Sequence, residues 1–212
     1  TAFPFMSWRE GRVAGIPARV MRVSFTGELS FEINVPASWG QALWQACMAA
    51  GEKYGIVPFG TEAVHVLRAE KGYFIVGRVP VVPITAGDLG AGWLVDMSKP
   101  DFIGRRSLLR SDTARDDRRQ LVGLETENPS EVAPEGAQIV AETKPKPPMA
   151  MIGYVTSSYA SPTLGRSIAL AMVQDGRRRM GDTVFLPLAH RTIRAKIVSP
   201  VFFDPEGERL RG

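Results

Sequence analysis

Two glutamates, Glu28 and Glu32, have the chemical type and the spacing that could bind a ligand. From Leu29 to Ile33 apolar and polar residues alternate, which is the two-residue period of a strand with one buried face. This pattern predicts that both carboxylates lie on the polar face. A carboxylate can accept two parallel N–H bonds from the amidine-like edge of a nitrogen heterocycle. On spacing alone two interpretations stay open: a solvated strand face, or a surface that binds a ligand rich in N–H donors.

Other kinds of site chemistry have little support in the sequence. The single Cys47 excludes an intrachain disulfide and a cysteine-based metal cage. His65 is predicted to pack on a helix face and His190 to lie exposed in a turn, so neither is predicted to be a catalytic base. There is no phosphate-binding loop, and no GxGxxG motif follows a strand. We therefore predict no catalytic residue and no metal site in this chain.

Charge and hydropathy limit the classes of partner. The net charge of +4 comes largely from arginine-rich runs at 104–119 and 176–179. Aspartates interrupt or flank these runs, which is typical of solvated linkers and predicts no nucleic-acid partner. An acidic partner, such as a polyglutamate tail or another subunit, is expected instead. No apolar run approaches the roughly 20 residues that cross a bilayer, and there is no signal-peptide pattern, so we predict a cytoplasmic protein without membrane contact.

Residues before position 110 are predicted to mix strands and helices. A hairpin at Thr26-Gly27 should join two strands, at 19–25 and 29–35. Thr61 should cap the second of three helices and Gly72 should close it, while Gly104 should begin the third. The predicted helices cover 37–50, 62–71 and 101–109. The first of them should face the core through an apolar stripe of Trp39, Leu43, Trp44, Cys47 and Met48.

The second half of the chain has the pattern of a small antiparallel β-barrel. Its predicted strands are 121–125, 138–140, 151–157, 168–173, 183–186 and 192–198. Residues 157–159 and 161–162 are predicted to form a polar loop between two strands, either an ordinary turn or the rim of a pocket. Residues 144–148 are predicted to form a stiff exposed loop. The charged stretch 110–119 is the predicted domain boundary. The expected fold is therefore α+β, with domains at 1–112 and 113–212.

Five segments, in order, resemble motifs of the glycine cleavage T-protein (aminomethyltransferase) family. Residues 22–33, RVSFTGELSFEI, are similar to its YTGExGxEI motif, and residues 67–72, LRAEKG, are similar to LRLEAG. The remaining three are DFIGR at 101–105, TSSYASPTLG at 156–165 with IALA at 168–171, and PVF at 200–202. A single motif of this kind is weakly specific. Five in register identify the chain as a member of this family along almost its whole length.

The resemblance implies a fold and a ligand. The chain would be the second half of a T-protein-like folate-binding domain, followed by the family's C-terminal β-barrel. Tetrahydrofolate would be the cofactor, and the family's pterin-binding glutamate falls on Glu32. Glu28 belongs to the same motif and is expected to support it. Arg68 and Tyr159 are the further expected cofactor-binding residues, the latter in the segment 157–164 that would help line the cavity.

Within the family, the wording is most similar to the alpha subunits of heterotetrameric sarcosine oxidases, at 3–11, 65–72 and 204–207. This implies that tetrahydrofolate accepts the one-carbon unit from sarcosine oxidation and yields 5,10-methylenetetrahydrofolate. Flavin and NAD would lie on other domains or subunits, which would be this chain's partners, and the isolated chain would be inactive alone. The alternatives are a fragment of an aminomethyltransferase or demethylase, and a non-catalytic fragment that serves subunit contact, including homodimerisation.

Three departures from the family pattern bear on the site. Val64 occupies the position, one helical turn before Arg68, of an arginine that the family uses toward the folate tail. The sequence of residues 77–87 differs from the acidic sequence that the family has there. The family's catalytic aspartate lies in the N-terminal half of the module, which this sequence does not contain, so the chain is expected to hold only part of a folate site.

Overall fold

The computed structural model describes residues 3–77, 84–143 and 147–211. They form two compact units. The first unit runs to Leu67 and also includes residues 206–211, which we call the C-terminal segment, whereas the second runs from Arg68 to Pro205. The predicted loop at 144–148 lies outside the described residues at 144–146, as do residues 78–83 of the stretch 77–87.

The predicted boundary between positions 112 and 113 falls inside the second unit, because bonds join residues on both sides of it. The Leu121 N–H donates to the Asp88 carbonyl at 2.8 Å. The Arg118 guanidinium pairs with the Asp88 carboxylate at 3.0 Å and with Asp112 at 3.2 Å. These contacts pack the segment before the boundary against the first barrel strand. The division into sequence domains at this point stays a prediction.

A three-stranded antiparallel sheet forms the first unit's β structure, in the order β1-β2-β3. The strands are β1 Ser7–Val13, β2 Ile16–Arg22 and β3 Glu32–Asn34. Ala14 and Gly15 connect β1 to β2, and both have positive φ, 50° and 80°. Two central residues in this conformation match the type I′ turn, whose twist suits a tight hairpin. Sequence reasoning had not predicted β1.

The antiparallel pairing predicted on either side of Thr26-Gly27 is correct, but the strands are shorter and the connection between them is longer than predicted. β2 ends at Arg22 and β3 begins only at Glu32, and Met21 lies opposite Glu32 in antiparallel register. Residues 23–31, which we call the connecting segment, form bends rather than strand. The predicted alternation therefore does not extend to Glu28, and Glu28 and Glu32 do not share a strand face.

Helix α1, Gly40–Gly51, follows a short 3-10 turn at Ala37–Trp39. Leu43 is its buried residue, whereas Trp39 and Trp44 are 48% and 56% exposed. Cys47 and Met48 are partly buried, so the two tryptophans are the exposed part of the predicted apolar stripe. Of the helices in the described residues, none has the length and apolar character that a bilayer crossing requires.

Helix α2 spans Thr61–Glu70, and Gly72 closes it as the sequence predicts. The Gly72 N–H donates to the Ala69 carbonyl at 3.0 Å, and the Tyr73 N–H donates to the Arg68 carbonyl at 2.8 Å. This pair of bonds is the Schellman motif, which places a residue with positive φ just beyond the helix. Gly72 has a φ of 74°. Two short α-helices follow in the described residues, α3 at Arg105–Leu108, preceded by Gly104 as predicted, and α4 at Glu208–Arg211.

Six antiparallel strands close into the predicted barrel, in the order β4-β7-β6-β5-β8-β9. β5 and β9 have the predicted bounds, and β6 is longer than predicted. The strands are β4 Arg119–Thr126, β5 Gln138–Val140, β6 Met151–Ser161, β7 Arg166–Gln174, β8 Thr183–Pro187 and β9 Thr192–Val198. The predicted polar loop at 157–159 is wrong, since these residues continue β6 past a register shift between Val155 and Ser157.

The barrel core follows from strand alternation. In β9 the residues Ile193, Ala195 and Ile197 are buried while their neighbours are exposed. β7 differs, because it is buried continuously from Ser167 to Val173 and so is covered on both faces. This continuous burial is typical of a strand that packs against further structure outside the sheet. The buried interior combines residues of all six strands, including Val122, Leu124, Ile139, Val155, Ala171, Val184 and Leu186.

Candidate functional site

The predicted pterin-binding residue, Glu32, begins β3 and is exposed. It lies opposite Met21 of β2, and Met21 lies opposite Trp8 of β1. Residues directly opposite each other in an antiparallel sheet project from the same face. Trp8, Met21 and Glu32 therefore form one row across the sheet, which we call the Glu32 row. Trp8 is 59% exposed, so the row offers an accessible aromatic ring, a polarizable thioether and a carboxylate.

An open groove of about 610 Å³ lies on this sheet and shares Met21 with the row. Glu10, Arg19 and Asn34 are among its lining residues. Arg19 and Glu10 form an ion pair at 2.9 Å, and the Arg19 guanidinium lies 5.0 Å from the centroid of the Trp8 ring. Arg19 thus connects the groove with the aromatic end of the row. The sheet combines hydrogen-bond donors, acceptors and a flat apolar surface in one place.

Glu28 already has a protein partner in the structure. The Arg209 Nε donates to both of its carboxylate oxygens, at 2.7 and 2.8 Å. Both side chains are partly exposed, 37% for Glu28 and 56% for Arg209. The structure therefore separates the two glutamates, one ion-paired in the connecting segment and one exposed on the sheet. A direct ligand contact by Glu28 stays a prediction.

Arg68 and Tyr159, the two other predicted site residues, are brought together inside the second unit. An Arg68 terminal nitrogen donates to the Tyr159 hydroxyl at 3.0 Å and to the Ser157 hydroxyl at 2.7 Å. The other terminal nitrogen donates to the Tyr73 carbonyl at 2.9 Å. Arg68 is 1% and Tyr159 8% exposed. Their contacts are those of a buried hydrogen-bonded network, and a role for either in folate binding stays a prediction.

Further polar contacts surround the end of α2, and sequence reasoning missed them. The Glu70 carboxylate accepts from the Ser161 hydroxyl at 2.6 Å. Lys71 pairs with the Asp204 carboxylate at 3.1 Å, where both side chains are about nine-tenths buried. Burial raises the pKa of Tyr73, and the negative charge of Asp204 raises it further. The Tyr73 phenol therefore stays neutral near pH 7. Arg68, Glu70 and Lys71 of the LRAEKG motif thus all bond to side chains of the second unit.

Neither histidine is among the hydrogen-bonded residues around the end of α2. His65 is partly buried within α2, and His190 is exposed, as predicted. Within the described ranges, no group of three or more His, Cys, Asp or Glu side chains is placed to hold a metal ion.

Comparison with protein families covers most of the chain. The family model for the GCVT N-terminal domain matches residues 1–99, and the model for the glycine cleavage T-protein C-terminal barrel domain matches residues 119–204. The chain belongs to the glycine cleavage T-protein family. The unmatched interval between the two T-protein models is residues 100–118. It contains the charged stretch in which the domain boundary was predicted.

Curated T-protein relatives are longer than this chain. It is 43% identical to sarcosine oxidase subunit alpha of Corynebacterium sp. (strain P-1) over 216 aligned residues, which cover 100% of this chain and 22% of that protein. It is 32% identical to an aminomethyltransferase of Caldanaerobacter subterraneus subsp. tengcongensis, covering 91% of this chain and 49% of that protein. The chain therefore spans about a fifth of the one and about half of the other.

A solved T-protein structure has the same fold. The crystal structure of glycine cleavage system aminomethyltransferase T from Bartonella henselae aligns with a TM-score of 0.78 and 25% identity. The alignment covers 93% of this chain and 52% of that protein. The predicted α+β architecture with a C-terminal antiparallel barrel is thus confirmed.

The family motif predicts Glu32 as a site residue but does not indicate the residues beside it. Trp8 and Met21 are not among the predicted site residues, and their place in the Glu32 row depends on β1, which the sequence does not predict. Arg209 was missed for a different reason, since it lies far from Glu28 along the chain. The turn at Ala14-Gly15 is the signal that could have revealed β1 and, through its register, the row.

Proposed function

We propose that this chain supplies the pterin-binding part of a tetrahydrofolate site. The observation that carries the proposal is the position of Glu32, an exposed carboxylate of the T-protein motif in one row with Met21 and Trp8. The carboxylate would accept two N–H bonds from the aminopyrimidine edge of the pterin. Trp8 and Met21 would cover part of the ring face. The residues present therefore suit the flat, N–H-rich end of the ligand.

Folate itself would supply the reactive chemistry, since its N5 and N10 nitrogens accept one-carbon units. The role of this chain would be to bind and orient the pterin, and we assign no acid–base step to its residues. The similarity to a sarcosine oxidase subunit alpha favours sarcosine as the source of the one-carbon unit and 5,10-methylenetetrahydrofolate as the product. On this proposal, the catalytic aspartate, the flavin and the NAD belong to other domains or subunits of a cytoplasmic enzyme.

The tail of the folate would need a different anchor from that of the family. Val64 stands where the family has a tail-binding arginine, and Val64 is partly buried within α2. An apolar side chain cannot pair with the carboxylates of a glutamate tail. We therefore propose that affinity in this chain depends more on the pterin end, which makes Glu32 the residue to test.

Calorimetric titration with tetrahydrofolate tests this function. Replacement of Glu32 by glutamine keeps the size of the side chain but removes its charge and half of its acceptor capacity. A charge-assisted hydrogen bond contributes about 1.5–3 kcal/mol, so Glu32→Gln should weaken binding about tenfold to hundredfold. Glu62→Gln is the matched control, because Glu62 is an exposed acid of the same unit on α2. No binding by the wild type, or equal affinity in Glu32→Gln, would refute the proposal.

A second candidate is a non-catalytic role in subunit contact, and the exposed apolar surface of the first unit favours it. Trp39 and Trp44 of helix α1 are about half exposed, and Val57 and Phe59 beyond it are 74% and 65% exposed. Exposed apolar clusters of this kind mark interaction surfaces. If the role is homodimerisation, sedimentation velocity should show a dimer at micromolar concentration and a monomer after Trp44→Gln. A wild-type monomer at the same concentration would exclude homodimerisation.

A further inference from the structure

Hydrogen bonds join the C-terminal segment to the sheet that carries Glu32. Arg22, at the end of β2, is 3% exposed and donates to the Arg211 carbonyl at 2.7 Å and to the Leu210 carbonyl at 3.4 Å. The last carbonyls of a helix lack partners within it, and a cation there is favourable. Arg22 also donates to the Phe3 carbonyl at 2.6 Å. One buried guanidinium thus joins α4, the N-terminal residues and β2.

A second contact from the C-terminal segment reaches the middle of the connecting segment. The Arg209 Nε bonds both Glu28 oxygens. This ion pair is more than a third exposed on both sides, so it contributes little to global stability. Its effect has to be local. It fixes one point of a segment that starts beside Arg22 and leads directly to Glu32.

The connecting segment has no regular secondary structure to hold it. Within it the Gly27 N–H donates to the Ser24 hydroxyl at 3.0 Å, which closes one bend. At its far end the Phe31 ring lies 5.7 Å from the Phe3 ring. Segments with few buried contacts and few backbone bonds sample many conformations. The Arg209–Glu28 pair therefore limits the conformations of the connecting segment, which leads directly to Glu32.

We propose that Arg209 is a positioning residue for the pterin site, acting through Glu28. By holding the connecting segment, it fixes the orientation of the Glu32 carboxylate before the ligand binds. Two parallel hydrogen bonds to a ring edge require one orientation of the carboxylate. If the connecting segment became ordered only when the ligand binds, the lost conformational entropy would weaken the affinity. This proposal rests on the proposed function for the assignment of Glu32 to the pterin. It adds the reason why the motif carries a second glutamate, Glu28.

Hydrogen exchange and calorimetry on the whole chain test this proposal. In Arg209→Gln, amide exchange across residues 23–31 should rise roughly two- to fivefold without ligand, and tetrahydrofolate affinity should fall by a similar factor. Arg209→Lys keeps the charge and should recover most of both effects. Arg194→Gln is the matched control, since Arg194 forms an exposed ion pair with Glu127 at 3.0 Å in the barrel. Melting temperatures of all variants should stay within about 2 °C of the wild type.

The outcomes separate the two proposals. Unchanged exchange in Arg209→Gln, or faster exchange with unchanged affinity, would overturn the positioning role. A melting temperature of Arg209→Gln clearly below that of the wild type would also overturn it, because Arg209 would then stabilise the fold as a whole. If the wild type binds no tetrahydrofolate, the proposed function fails, and the exchange comparison still decides whether Arg209 holds the connecting segment.

Discussion

Replacement of Gly72 by alanine is expected to lower the free energy of unfolding by roughly 2–5 kcal/mol. Two effects add at this position. The φ of 74° is unfavourable for any residue with a Cβ, at a cost of about 1–2 kcal/mol. The new Cβ would also lie 2.5 Å from the Pro200 carbonyl oxygen, so the backbone after β9 has to shift. Overpacking of this kind costs about 1–3 kcal/mol.

Urea denaturation followed by circular dichroism measures this loss, and a second glycine separates its two causes. Gly136 has a φ of 79°, yet no atom lies within 4 Å of the Cβ position. Gly136→Ala should therefore carry only the conformational cost of about 1–2 kcal/mol. If Gly72→Ala and Gly136→Ala are equally destabilised, the close approach to Pro200 is not the reason for a glycine in the LRAEKG motif.

Replacement of Asp204 by asparagine is the second substitution with a large expected effect, about 3 kcal/mol of lost stability. Lys71 and Asp204 are about nine-tenths buried, and their charged atoms lie 3.1 Å apart. Removing one charge leaves the ammonium buried without its counter-charge. Asparagine is the suitable replacement because Asp204 has a φ of 48°, and asparagine tolerates this left-handed conformation. The effect therefore reports charge rather than backbone strain.

The same denaturation experiment checks this prediction with two controls. Glu127→Gln removes an exposed ion pair with Arg194 and should cost less than about 1 kcal/mol. The double variant Lys71→Met with Asp204→Asn removes both charges and should recover much of the loss. Equal stability of the double variant and Asp204→Asn would show that the uncompensated ammonium is not the cause.

The barrel could be predicted largely from local pattern. Its strands alternate or run apolar, as in β9, where Ile193, Ala195 and Ile197 are buried in turn. β6 is longer than predicted because the polar residues Ser157 to Tyr159 favoured a loop. In the structure the Thr156 and Ser158 hydroxyls donate to the Leu170 and Ile168 carbonyls of β7, at 3.0 and 3.2 Å. Cross-strand bonds satisfy these groups, and a single-sequence pattern cannot show that.

The N-terminal sheet was predicted less well, because its local sequence pattern does not match its strands. Leu29 and Phe31 alternate with polar residues as in a strand, yet they are 48% and 47% exposed and lie in the connecting segment. β1 was missed because Arg9, Glu10 and Arg12 leave it little apolar character, and only its pairing with β2 defines it. The site shows the same limit. The motif predicts a role for Glu32, but contacts such as Arg68 to Tyr159 join residues that are distant in sequence.

The composition of the first unit from both ends of the chain has a consequence for biosynthesis. The sheet of residues 7–34 is synthesised before the barrel, whereas α4, whose carbonyls accept from Arg22 and whose Arg209 bonds Glu28, is synthesised after it. Until then Arg22 lacks the Arg211 and Leu210 carbonyls, while the barrel strands are already complete. The barrel strands are therefore available for folding before α4, and the first unit can reach its final form only once α4 has been synthesised.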